Sequence, residues 1–197
     1  SKLGTKKIRI TGGEPSLRKD LPQIIQACKT THGIETVALT TNGYKLTTHI
    51  KSWIDAGLDQ LNVSIDSLDP NHFQAITGHN KLDEILNGIT LAQELGLTKI
   101  KVNVVLMRQY AARELNSFLA WIKNTSVTLR FIEVMQTGDN VTFFDEQHVK
   151  AGAIKSTLEA EGWLPMIRKH TDGPAQEFYH PEYRGRIGLI MPYGKDF

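Results

Sequence analysis

One cysteine in 197 residues excludes most of what a protein can build from sulfur. Cys28 alone closes no intramolecular disulfide and makes no cysteine-held metal centre, and a single free thiol suits a reducing, cytoplasmic setting. The seven histidines, His32, His49, His72, His79, His148, His170 and His180, show no metal-ligand spacing. Charge of one sign is also missing. With 23 Lys and Arg against 21 Asp and Glu, the net charge of +2 supplies no general basic field for nucleic acid. No apolar run approaches the ~20 residues of a membrane span and no signal peptide pattern is visible, so no membrane partner is expected. What remains is 40% hydrophobic sequence, enough for one domain with a sizeable core.

That sequence repeats one phrase: a helical pattern, a glycine, then a β-branched run. Leu21, Ile24, Ile25 and Cys28 mark one helix face; Ile50, Trp53 and Ile54 mark another that closes at Gly57; Leu82, Ile85, Leu86, Ile89, Ala92 and Leu95 mark a third that closes at Gly96. Cys28 and Trp53 read as core, and Trp163 as helix packing. Asp69 and Pro70 open a short helix that Gly78 ends. Strands are expected over 7–11, 36–41, 61–66, 99–106 and 127–134, with another from Gly185 to Pro192. Strands alternating with helices predict parallel βα units. The start, Leu3-Gly4-Thr5-Lys6-Lys7, resembles Leu95 to Lys99, a helix end feeding a strand, which suggests that a preceding strand is missing. Residues 136–184 hold a helix around Val149, Ile154 and Leu158 and are expected to cover the open side of the sheet.

Buried parallel strands normally read as continuous apolar runs, but these are polar on one face. Lys7, Arg9 and Thr11 oppose Ile8 and Ile10; Thr36, Ala38 and Thr40 oppose Val37 and Leu39; Asn62, Ser64 and Asp66 oppose Val63 and Ile65; Lys101 and Asn103 oppose Val102 and Val104. A curved, barrel-like sheet resolves this, with helices outside and a wet interior open at the strand C-terminal ends. Gly12 and Gly13 end the first strand with backbone bare enough for a ligand to lie on it. Lys7, Arg9, Lys101 and Arg130 face that interior with Asp66 and Glu133 as the main available counter-charges, so an anion with several oxygens, such as a phosphorylated substrate, is the expected occupant. The bland alternative makes each cation a solvated strand end or one half of a surface ion pair.

Five segments in order carry a resemblance. Thr11-Gly12-Gly13-Glu14-Pro15, Thr40-Thr41-Asn42-Gly43, Asn62 to Asp69, Lys101 to Val105 and Arg130 to Met135, with Gly188 to Tyr193 near the end, resemble the radical S-adenosylmethionine enzymes. Within them they resemble the GTP cyclases that start molybdenum cofactor biosynthesis. The resemblance implies an α/β fold, a partial TIM-like βα barrel with its first strand missing, in which residues 1–135 form the barrel core and 136–197 lead toward a second cluster region. It implies that Gly13, Ser64 and Met135, with the backbone of Gly12 and Glu14, bind S-adenosylmethionine. It further implies that Arg9, Thr40 and Lys101 bind GTP, with Lys7 and Arg130 around the triphosphate.

The implied chemistry explains why no acid, base or nucleophile pair stands out. A reduced iron–sulfur cluster cleaves S-adenosylmethionine to a deoxyadenosyl radical, which takes hydrogen from ribose C3′ of GTP, and the carbon radical then attacks C8 of guanine. Cofactors supply the hard step and the protein supplies position. A homodimer and a downstream enzyme that carries the product toward molybdopterin accompany this expectation. Two 4Fe-4S clusters belong to the family, and their two cysteine trios are absent here. The chain is therefore expected to be an inactive fragment of a longer enzyme. Two alternatives stand beside it: another radical S-adenosylmethionine enzyme with a different substrate such as a peptide, and a cluster-free nucleotide-binding module.

Overall fold

Aliphatic runs become parallel strands here because a helix returns the chain over each strand before the next begins. The computed structural model of the protein describes residues 4–108, 111–167 and 175–191. It comprises two compact units, Ser1–Ile65 with Pro70–Val102, and Asp66–Asp69 with Asn103–Phe197. His170, Leu3, Pro192 and Tyr193 lie outside the described residues. No helix among the described residues is long and apolar enough to cross a membrane.

The first unit runs β1 (Lys7–Ile10), a 3-10 turn (Pro15–Leu17), α1 (Leu21–Thr30), β2 (Thr36–Thr41), α2 (Leu46–Asp55), β3 (Gln60–Ser64), α3 (Pro70–Thr77) and α4 (Leu82–Glu94), and it ends in the opening residues of β4 (Ile100–Leu106). Its strand order is β1-β2-β3-β4. β1 and β2 are parallel with Lys7 opposite Thr36 and Arg9 opposite Ala38; β2 and β3 are parallel with Ala38 opposite Gln60 and Thr40 opposite Asn62. Leu21 and Ile25 of α1, Leu46, Ile50 and Trp53 of α2, and Ile85 and Ile89 of α4 are buried together with Val37, Leu39, Leu61 and Val63. Each such side chain contributes about 1.5–3 kcal/mol relative to exposure. Asp59, just before β3, ties three segments: its carboxylate accepts from the Val37 N–H at 2.7 Å and from Lys29 Nζ at 2.7 and 2.8 Å.

The second unit takes up the rest of β4 and adds α5 (Ala111–Asn124), β5 (Thr128–Glu133), α6 (Val141–Gln147), α7 (Ala151–Ala160), β6 (Leu164–Pro165), β7 (Gln176–Tyr179) and β8 (Arg186–Ile190). The order is β4-β5-β8-β7-β6, with β5 and β8 parallel and β7 antiparallel to both β8 and β6. Phe118 and Ile122 of α5, Leu158 of α7, Leu129 and Phe131 of β5, and Ile187 and Leu189 of β8 are fully buried. Trp163 is buried and packs against His180 and Tyr183.

Several expectations need correcting. β3 begins at Gln60 and ends at Ser64, so Asp66 lies past the strand; the last strand stops at Ile190. α5 was not anticipated, although Leu115, Phe118, Leu119 and Ile122 have helical spacing, because no glycine closes it. Cys28 and Ile24 are half-buried rather than core, since α1 turns Leu21 and Ile25 inward and leaves both at the margin of that face. In 136–184 the helix expected around Ile154 and Leu158 is present as α7, while the described residues there add α6 and the short antiparallel strands β6 and β7, which are too brief to leave a periodic signal.

α2 and α4 meet at Gly88, where an added Cβ would lie 2.3 Å from the Leu46 Cβ and 3.2 Å from the Thr47 nitrogen. Gly88→Ala would gain about 1 kcal/mol of helix propensity. The overlap with atoms next to the backbone outweighs that gain, so we expect a net loss of about 1–2 kcal/mol, read as a lower denaturant midpoint at unchanged m-value.

Candidate functional site

In the first unit the parallel strands deliver their C-terminal ends to one edge, which brings out the loop after β1, the Thr41-Asn42-Gly43 turn after β2, and Ser64 at the end of β3. Gly12 has φ +134°, a conformation side chains rarely adopt, and a Cβ built on Gly12 or Gly13 would meet nothing within 4 Å. The loop therefore presents open backbone. Glu14 holds it in place: its carboxylate accepts from the Ser16 N–H at 3.0 Å, the Thr41 hydroxyl at 2.6 Å and the Asn42 N–H at 2.7 Å. Burial pushes the Glu14 carboxyl up, but the bonds from Thr41, Asn42 and Ser16 outweigh it and leave the group below its ordinary value. The side chain of Glu14 is thus committed to the loop, and only its backbone is left to a ligand. Ser64 is exposed at the same edge.

Below that edge runs a line of hydrogen bonds. Lys7 Nζ donates to Gln60 Oε1 at 2.7 Å, Gln60 Nε2 to Asn62 Oδ1 at 2.9 Å, and Asn62 Nδ2 to Thr40 Oγ1 at 3.2 Å and to the Leu39 carbonyl at 3.3 Å. The structure thereby joins Lys7 and Thr40, two of the residues singled out in the sequence, through two buried amides. Arg9 is exposed on the same face of β1 as Lys7, in register with the small Ala38. Lys101 is half-buried on β4, which comes alongside β3 where the Leu61 N–H donates to the Lys99 carbonyl at 3.0 Å.

In the second unit Arg130 is only 5% exposed and lies in register with Gly188. A Cβ at Gly188 would sit 3.2 Å from the Ala175 Cβ and 3.5 Å from the Arg130 Cγ, so glycine leaves room beside the arginine. Met135 is 59% exposed, on a turn closed by Asn140, whose Nδ2 donates to the Met135 carbonyl at 3.1 Å. The two acids considered as counter-charges are engaged within this unit. Asp66 Oδ1 accepts from the Val105 N–H at 2.9 Å, and burial outweighs that bond and holds its carboxyl above the ordinary value. Glu133 meets His148 Nε2 at 2.7 Å and accepts from the Ala151 N–H at 2.9 Å, anchoring α7.

Sequence reasoning missed Gln60, because a strand boundary set at Leu61 hid a polar residue two positions before Asn62 on the same face. It also missed Glu114 of α5, which is buried and holds the Ser67 hydroxyl and the Leu68 N–H, shaping the loop after β3. Among the described residues no three His, Cys, Asp or Glu side chains are gathered to hold a metal ion. The open glycine loop fits a small amino-acid-like cofactor, whereas one cysteine cannot ligate an iron–sulfur cluster.

Residues 1–122 match the radical SAM superfamily, and residues 127–197 match the Molybdenum Cofactor Synthesis C family. The chain is 56% identical over 194 residues to a GTP 3',8-cyclase of Vibrio parahaemolyticus, covering 98% of this chain and 58% of that protein. It is 55% identical over 197 residues to a GTP 3',8-cyclase of Tolumonas auensis, covering 100% and 59%. The chain thus spans somewhat under three fifths of the length of these relatives. Among solved structures it resembles a domain of pyruvate-formate lyase-activating enzyme from Bacteroides vulgatus, with TM-score 0.61 and 15% identity over 79% of this chain and 92% of that one. It also resembles Streptococcus suis SuiB bound to S-adenosylmethionine, with TM-score 0.61 and 16% identity over 79% and 35%. At such identities these likenesses show the fold alone, α/β and of partial TIM-barrel type.

The Glu14 carboxylate contributes to stability while ionised, and its depressed value means that this contribution is fully present above the ordinary value of 4.5 and disappears as pH falls through the lower folded-state value. Glu14→Gln should therefore destabilise the protein by about 1–2 kcal/mol near neutrality, and the gap from wild type should narrow in denaturation series carried below pH 4.5.

Proposed function

The chain belongs to the radical S-adenosylmethionine superfamily, and we propose that the protein containing it is a GTP 3',8-cyclase acting in molybdenum cofactor biosynthesis. The carrying observation is the polar line Lys7–Gln60–Asn62–Thr40 running beneath an open glycine loop at the ends of parallel strands. In this reading Gly12, Gly13 and the Glu14 backbone receive the amino-acid end of S-adenosylmethionine. Ser64 and Met135 complete its site. Lys7, Arg9, Thr40, Lys101 and Arg130 hold GTP, the cations matching its triphosphate. When bound, the cofactor and two 4Fe-4S clusters held by cysteines of the longer protein supply the radical chemistry. The residues of this chain orient the nucleotide and neutralise its charge.

The domain reading assigns 1–135 to the radical core and 136–197 to an extension leading toward the second cluster. A cytoplasmic location, a homodimer and a downstream enzyme taking the product toward molybdopterin go with it.

The test is anaerobic reconstitution of the full-length protein with iron and sulfide, followed by addition of GTP, S-adenosylmethionine and dithionite and mass spectrometry of the products. Deoxyadenosine together with a cyclised isomer of GTP is expected. Deoxyadenosine alone would keep the superfamily and replace the substrate, and neither product from a cluster-loaded sample would favour a binding module.

Arg9→Ala and Lys101→Ala should each raise KM for GTP about ten- to a hundredfold while leaving the affinity for S-adenosylmethionine nearly unchanged, from the loss of about 1.5–3 kcal/mol per charged hydrogen bond. Equal losses for both ligands, measured by steady-state kinetics, would contradict a triphosphate role.

A further inference from the structure

Every hydrogen bond from Lys7 to Thr40 runs in the same direction, and the two ends of the line dictate it. The Lys7 ammonium only donates, so the Gln60 atom 2.7 Å away is the amide oxygen and the Gln60 NH2 faces Asn62. The Leu39 carbonyl only accepts, so the Asn62 atom 3.3 Å away is the NH2 and the Asn62 oxygen faces Gln60. Both ends require the same orientation of both amides. Thr40 Oγ1, 3.2 Å from the Asn62 NH2, is therefore an acceptor inside the protein, and among the described residues no acceptor takes its proton. Gln60 is 3% and Asn62 0% exposed, so water does not compete for either amide, whereas Thr40 is half-buried on the polar face.

We propose that Gln60 and Asn62 are positioning residues that commit the Thr40 hydroxyl to donate to an acceptor atom of the bound nucleotide. This rests on the nucleotide reading of the site given above. A hydroxyl can either donate or accept, and turning it to suit a ligand normally costs part of the binding energy. Here a row of aligned donors fixes its sense before the ligand arrives, and each bond polarises the next. The ligand atom opposite Thr40 is then an oxygen or ring nitrogen with a free lone pair, and a group offering only N–H is disfavoured there because it would face another donor.

Asn62→Asp tests this with little change of shape. The carboxylate still accepts from Gln60, gives up the bond to the Leu39 carbonyl and turns an oxygen toward Thr40, whose hydroxyl then donates inward and is lost to the ligand. In the full-length reconstituted enzyme, KM for GTP should rise about tenfold while KM for S-adenosylmethionine stays within about twofold. In a Thr40→Val background the same substitution should add little, since no hydroxyl remains to be turned. Asn62→Ser, which keeps an acceptor for Gln60 but withdraws the donor from Thr40, should move KM for GTP in the same direction by a smaller factor and serves if Asn62→Asp does not fold. Equal losses for the two substrates, or fully additive losses with Thr40→Val, would overturn the proposal. A wild-type enzyme that cleaves S-adenosylmethionine yet leaves GTP untouched would overturn the nucleotide reading instead.

Discussion

Parallel strands with polar side chains on one face must satisfy those groups among themselves, and the rest of the first unit depends on how that is done. Helices α1, α2 and α4 bring their apolar residues to Val37, Leu39, Leu61 and Val63, the other face of the same strands. The polar face is therefore left to its own bonds. Gln60 and Asn62 are long and short amides at successive inward positions of β3, and together they reach from Lys7 on β1 to Thr40 on β2. Between them the register places Ala38, whose small side chain leaves the amides space to pass. A leucine in either amide position would leave the other, buried amide without its partner, and unmet buried polar groups are costly.

The glycine loop shows the complementary arrangement. Its ends are fixed and its middle is bare: Glu14 fastens it to the turn after β2, while Gly12 and Gly13 have no side chain above them. A buried and a half-buried carboxylate do similar work in the second unit. Glu114 grips the Ser67-Leu68 segment, and Glu133 accepts from the first amide of α7, where the helix end favours negative charge. These acids act as fasteners for backbone N–H groups, which is why composition alone shows no surplus charge from which to guess their roles.

How much of this was legible follows from the length of each signal. α1, α2, α4 and the strands through β5 have apolar residues at fixed periods with a glycine behind each helix, and these were readable. The polar face was readable too, because alternation survives in Thr36, Ala38 and Thr40 and in Lys101 and Asn103. α5 lacked only its closing glycine, and β6, two residues long, has no period to detect. Within the site, the position of each side chain on its strand was accessible, but its partner was not. Nothing in the sequence says that Glu14 spends its carboxylate on Thr41, or that Lys7 meets an amide, since pairing depends on strand register.

The Asp59 carboxylate has a consequence for how the molecule comes together. It joins Lys29, Val37 and the approach to β3, segments that follow one another closely in the chain, and Lys7 pairs with Thr36 as Ala38 pairs with Gln60. Thr128, by contrast, waits for Arg186 before β5 gains its neighbour. Loop-closure entropy grows with the length of chain enclosed, so the first unit can nucleate from short-range contacts while the β5–β8 pair closes over the whole of α6, α7, β6 and β7. The polar line and the glycine loop thus lie in the part of the protein that has the least chain to gather before it can fold.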